Sequence, residues 1–164
     1  MQGQMMDYPL TLTHILERGR RLAPHKELVT KTATGLHRHT YADMYARTCR
    51  LANALDRLGI SSDGRVGTFA WTTARHLEIY FAAPCSGRVL HTLNIRLFPE
   101  QVVFIANHAE DEVIFVDASL LPALEKLAPQ LKTVRHYVVM ADGPLPPTAL
   151  PNAIGYEEIG RAHV

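Results

Sequence analysis

The chain has 164 residues, 47% of them hydrophobic, which is enough for one domain with a real core and not for two. Seventeen basic against sixteen acidic side chains leave a formal charge of +1, so neither a nucleic-acid surface nor a polyanionic tail is advertised. No stretch approaches the ~18 uninterrupted apolar residues of a membrane span, and Met1 to Leu22 lacks a charged segment followed by a long apolar run, so a protein that is neither exported nor membrane-spanning is expected.

In chain order, residues 1–26 form a mixed arm in which Leu10, Leu12, Ile15 and Leu16 predict a short amphipathic helix over Thr11 to Arg20. Arg18, Arg20 and Arg21 read as its solvated end. Glu27 to Thr32 and Leu36 to His39, separated by the turn-like Ala33-Thr34-Gly35, predict a hairpin. Thr40 stands three residues before Asp43, the spacing of a capping box. From Tyr41 the apolar positions recur at helical period until Gly59 supplies a stop.

Val66 to Ala70 predicts a strand, and a helix from Thr73 should carry Leu77, Tyr80 and Phe81 inward until Pro84 ends it. Val89 to Leu93 reads as the next strand, and Pro99 as a first-turn proline of a helix burying Val102, Val103, Ile105, Ala106 and Ala109. Val113 to Val116 follows as a strand, Ser119 as the cap of a helix bearing Leu120, Leu121, Leu124 and Leu127, and Val134 to Met140 as a last strand. The runs Val89 to Leu93 and Val113 to Val116 read as buried on both faces. Strands alternating with helices predict an α/β fold, a mostly parallel sheet of βαβ units spanning residues 27–141. The prolines after Asp142 predict loop over residues 142–158. Residues 159–164 back-translate as ATCGGAAGAGCACACGTC, which reads like a sequencing-library adapter, so a non-native tail is expected there.

Chemistry is sparsely signposted. There is no GxGxxG, no GxxxxGK[ST] and no GxSxG. Cys49 and Cys85 lack CxxC spacing and read as reduced, buried thiols of a cytoplasmic protein. His37 and His39 share a strand face without a third metal ligand at diagnostic spacing. Asp117 ends a parallel strand, where ligands gather in open sheets, although a capping or turn role leads for it. His91, Asn94 and Arg96 sit at a strand-to-helix crossing. They are the substrate-binding candidates, against a structural reading in which His91 is hydrogen-bonded, Asn94 makes the turn and Arg96 reaches Glu100 or caps carbonyls.

The run RHLEIYFAAPCSGRVLHTLNIRLFPEQVVFIANHAEDEVIFVD, Arg75 to Asp117, resembles the N-terminal region of medium-chain and long-chain fatty-acyl-CoA synthetases of the adenylate-forming superfamily. Met5 to Leu12, Thr40 to Ile60 and Leu131 to Met140 extend the resemblance. It implies part of an N-terminal large domain of an enzyme of lipid metabolism that uses ATP and Mg2+ to make an acyl-adenylate from a fatty acid, then passes the acyl group to CoA. The family's Gly-rich phosphate loop, magnesium carboxylate and catalytic lysine are not matched by Lys26, Lys31, Lys126 or Lys132. The resemblance therefore carries over no catalytic residue, and this chain alone is expected to be inactive and to bind no cofactor. Relatives resembling it also imply a homodimer through the N-terminal arm and peripheral membrane association. Departures are Thr72-Thr73-Ala74 in place of an Asn-containing turn, Arg88 in place of a small residue, and Phe98 in place of a capping serine, worth about 1 kcal/mol if the cap is lost. The alternative is a free-standing flavodoxin-like or receiver-type binding module, for which Asp117 lacks acidic partners.

Overall fold

A computed structural model describes residues 7–32 and 35–159. Helix α1, Leu12–Leu22, buries Leu16 and ends in Arg20 and Arg21, cations placed against the negative end of its dipole. Strands β1, Glu27–Thr32, and β2, Gly35–Thr40, pair antiparallel with Glu27 opposite Thr40. The expected turn at Ala33-Thr34 lies outside the described residues.

Helix α2, Tyr41–Arg57, starts in the predicted capping box: Asp43 N–H donates to Thr40 Oγ1 at 3.1 Å, and Thr40 N–H donates to Asp43 Oδ2 at 2.9 Å. Two otherwise orphaned donors are thus satisfied. Gly59 ends the helix at φ 67, a left-handed conformation that glycine adopts without a Cβ clash.

The remaining elements are β3 (Arg65–Phe69), α3 (Ala74–Cys85), β4 (Val89–Thr92), α4 (Pro99–Ala109), β5 (Asp111–Asp117), α5 (Leu121–Leu127), β6 (His136–Met140), β7 (Ala153–Gly155) and α6 (Tyr156–Ile159). The five strands from β3 to β7 form one parallel sheet in the order β4-β3-β5-β6-β7. The chain goes outward from β3 to the edge at β4, then crosses back over β3 to β5 and continues the other way. That reversal places helices on both faces.

Alternation along the central strands feeds two cores. Val113 and Phe115 of β5, with Val138 and Met140 of β6, pack under α2, α3 and α6. Ile114 and Val116, with Tyr137 and Val139, pack under α4 and α5. Each fully buried large apolar side chain contributes about 1.5–3 kcal/mol, so β5, apolar on both faces, is the spine of the fold.

Several sequence expectations need correction. The buried face of α3 is His76, Glu78, Ile79, Ala82 and Ala83, while Tyr80 is exposed, because polar side chains of this helix find partners inside. Strand β4 is an edge with Val89 exposed, so only β5 of the two apolar runs is covered on both faces. Ser119 does not cap α5. It lies in a single 3-10 turn, Ala118–Leu120, and accepts a hydrogen bond from Trp71. Cys49 is exposed and Cys85 half-buried, since the α2 side bearing Cys49 faces away from the sheet. The last strand is β7, not β6: beyond Asp142 the chain is irregular to Leu150, then adds β7 and α6. Of the suspected tail, Ile159 is buried in the core of the α3 face, and residues 160–164 lie outside the described residues.

Candidate functional site

A cleft of about 840 Å³ opens at the carboxyl ends of β3, β5 and β6, roofed by the β1–β2 hairpin. Its floor includes Trp71, two residues past β3, and Asp117, the last residue of β5, the two strands between which the chain reverses direction. Carboxyl ends of parallel strands at such a reversal are where open α/β sheets hold ligands, because adjacent loops diverge there.

The floor is rigidly tied. Trp71 N–H donates to Asp117 Oδ2 at 2.6 Å, and its indole Nε1–H donates to Ser119 Oγ at 3.1 Å. Burial pushes the Asp117 carboxyl upward in pKa, with the Trp71 N–H opposing. Thr73, in the departing Thr72-Thr73-Ala74 segment, caps α3 by accepting from His76 N–H. The His76 ring bridges Trp71 O and Thr68 Oγ1, each at 3.0 Å. Burial lowers the His76 pKa.

A charged chain runs along one wall. Glu78, 1% exposed, accepts from Arg47 Nε at 2.7 Å and from Tyr156 OH at 2.6 Å. Arg47 also donates to both oxygens of Glu157 at 3.0 Å, a two-point geometry that suits a planar guanidinium. Arg75 continues the chain, donating to Glu157 at 3.0 Å and to Asp142 at 2.9 Å. Burial works against the Arg47 charge, and the hydrogen bonds to Glu157 and Glu78 overcome it and raise its pKa. The converse holds for Glu157: burial alone would raise its carboxyl, but Arg47 and Arg75 bring it below the ordinary value.

His39, only 9% exposed, also lines the cleft, and neither ring nitrogen has a partner among the described residues. Burial depresses its pKa. Its ring lies 5.3 Å from that of His37. Among the described residues no three metal-ligating side chains gather, and the pair remains a pair.

The three sequence candidates do not line this cleft. His91 Nδ1 lies 2.8 Å from buried Asp111, whose carboxylate crosses the central strand over Gly67. A Cβ at Gly67 would sit 3.0 Å from Asp111 Oδ2, so the bridge needs glycine there. The hydrogen bond to Asp111 raises the His91 pKa. Asn94 Oδ1 accepts from Arg96 N–H at 3.0 Å and shapes the turn, while Arg96 is exposed and has no ion-pair partner among the described residues. The expected contact to Glu100 is absent there. Asp117 was legible from its strand-end position. Arg47, Glu78, Glu157 and His39 were not, because 110 residues separate Arg47 from Glu157 and only the fold joins them.

The profile of a family described as "AMP-binding enzyme" matches residues 16–160. A long-chain-fatty-acid–CoA ligase of Thermus thermophilus is 48% identical over 137 residues, which cover 83% of this chain and 25% of that enzyme. A 3-methylmercaptopropionyl-CoA ligase of Ruegeria lacuscaerulensis is 42% identical over 158 residues, covering 96% of this chain and 29% of that one. The inhibitor-bound N-terminal domain of FACL13 from Mycobacterium tuberculosis shares the fold, with a TM-score of 0.76 at 23% identity, over 94% of this chain and 36% of that domain. The chain thus spans between a quarter and three tenths of the two curated relatives. By the extent of the profile match and the level of identity to these ligases, the chain belongs to the AMP-binding enzyme family.

Proposed function

We propose that this chain is part of an ATP-dependent fatty-acid–CoA ligase, which joins a fatty acid to AMP with release of pyrophosphate and then transfers the acyl group to the CoA thiol. The observation that supports this most is 48% identity to a long-chain-fatty-acid–CoA ligase over most of the chain. The 42% identity to a ligase named for a short thioether acid widens the acid class to be tested.

ATP and Mg2+ supply the activating chemistry in such an enzyme, and the residues described here do not fit either group. No three metal-ligating side chains converge among them, and the sequence offers no glycine-rich phosphate cradle. This chain's own contribution is a preformed wall. The Glu78–Arg47–Glu157–Arg75 chain fixes the carboxyl ends of the sheet, and the Trp71–Asp117 bond holds the floor. The chain alone activates no acid. The strand order also fits the alternative, a flavodoxin-like binding module, but the family match across residues 16–160 favours the ligase. Acyl-CoA formation by the full-length enzyme, assayed across short, medium and long acids, tests the reading. Thioester with at least one straight-chain acid is expected, and none with any acid would refute it.

A further inference from the structure

Of the six residues in each strand of the β1–β2 hairpin, His39 alone is buried, while the apolar Val29 and Leu36 are exposed. A two-stranded hairpin without an apolar face is marginal by itself, so this one depends on what His39 finds where it rests on α2 and α3. The ring finds no hydrogen bond there. Both nitrogens are closed off from solvent, and neither has a partner among the described residues. A neutral imidazole carries one donor and one acceptor, and leaving both unmade in a dry place works against closure. Nothing from outside reaches either nitrogen while the roof is down, so only movement of the hairpin supplies a partner.

The surroundings do not accommodate a charged ring either. Asp43 and Arg47 of α2, Glu78 of α3 and His37 on the same strand face His39, and Leu28 lies opposite it on β1. Asp43 is committed to the Thr40 cap, and Glu78 to Arg47 and Tyr156. An imidazolium would therefore meet no free carboxylate and would lie beside Arg47 and His37. The two feet of the hairpin are joined: Tyr41 N–H donates to Lys26 O and Ala42 N–H to Pro24 O, each at 3.1 Å. Above this fixed base the strands can swing as a unit, carrying the Glu27–Arg38 ion pair with them.

We infer that the β1–β2 hairpin is a hinged roof latched by neutral His39, and that a proton on the imidazole releases it from α2 and α3 and opens the cleft. With the roof down the ring's pKa lies below the ordinary 6.5, and with the roof lifted into solvent it returns there. Closure is thus favoured above that value and is lost as pH falls toward the lowered one. The latch is independent of the ligase reading, since it rests on the hairpin alone.

Trp71, the one tryptophan of the chain, lies on the cleft floor and reports on the roof. Its quenching by acrylamide should rise at least about twofold between about pH 7.5 and about pH 5, with the helical circular dichroism unchanged. His39→Leu, which replaces two unmade hydrogen bonds by apolar contact, should abolish the rise and raise the denaturation midpoint. His39→Gln, polar but with no charge to gain, should also stay flat with pH. His76→Gln, which alters the ring bonded to Trp71 O, should keep the rise. Flat quenching in the unaltered chain, a rise that survives His39→Leu or His39→Gln or disappears in His76→Gln, a rise accompanied by loss of helix, or a lower midpoint for His39→Leu would each overturn the latch.

Discussion

Glu78 is a buried carboxylate whose charge is balanced by Arg47 and whose second oxygen is occupied by Tyr156 OH. Removing it would strand a half-buried guanidinium and a buried phenol whose pKa burial already drives well above its ordinary value. Glu78→Ala should therefore cost about 3–5 kcal/mol, read from the denaturation midpoint, with Glu78→Gln costing less because it keeps a hydrogen-bond acceptor. The histidines pull stability in opposite directions with pH. His39 and His76 have folded pKa values below the ordinary 6.5, so their contribution is present above that value and is lost as pH falls through it toward the lowered folded values. His91 is raised by Asp111, so its contribution is present below 6.5 and is lost as pH rises through the raised folded value. Denaturation midpoints of His91→Gln should lose the alkaline decline and keep the acid one; an unchanged alkaline limb would show that the His91–Asp111 pair does not set it. Arg88 shows how a large residue can replace a small one: buried, it donates to Asp56 at 2.7 Å and to Ile60 O at 2.8 Å.

At the level of elements, caps and close approaches set what each segment tolerates. Thr40→Ala removes the acceptor for Asp43 N–H at the start of α2 and should lower stability by about 1 kcal/mol, with Thr40→Ser restoring most of it. The missing cap at Phe98 is partly made good, since Phe98 N–H donates to Gln101 Oε1 at 3.2 Å. Gly67→Ala on β3 should be worse than the Thr40 change. Its methyl would meet Asp111 Oδ2 and Ile114 Cγ1 at 3.0 Å, and neither can retreat far from a packed sheet. A loss of about 1–3 kcal/mol is expected, together with loss of the His91 pKa shift by NMR titration. A glycine-to-alanine change that left both untouched would show that the carboxylate does not pass over Gly67.

On the scale of the molecule, the alternation of strands and helices made the parallel α/β sheet legible, and Thr40 with Asp43 made α2 legible to the residue. Element α3 misled because its inward side carries His76 and Glu78, and hydrophobic period counts only apolar residues as inward. Strand β7 and helix α6 were hidden by their shortness after a proline-rich stretch. The cleft wall was illegible for a deeper reason: Arg47, Glu78, Arg75 and Glu157 are charges without local signature, assembled only when three segments meet. Resemblance at Arg75 to Asp117 pointed to the family where residue chemistry did not, and the profile match agrees. In the proposed function this chain forms a wall of an acid-activating ligase without holding the activating groups itself. Fatty-acid-dependent exchange of labelled pyrophosphate into ATP, measured on the chain alone and on the full-length enzyme, tests it most directly. Exchange by the full-length enzyme and background from the chain are predicted, whereas exchange by the chain alone, or silence from the full-length enzyme with every acid, would contradict it.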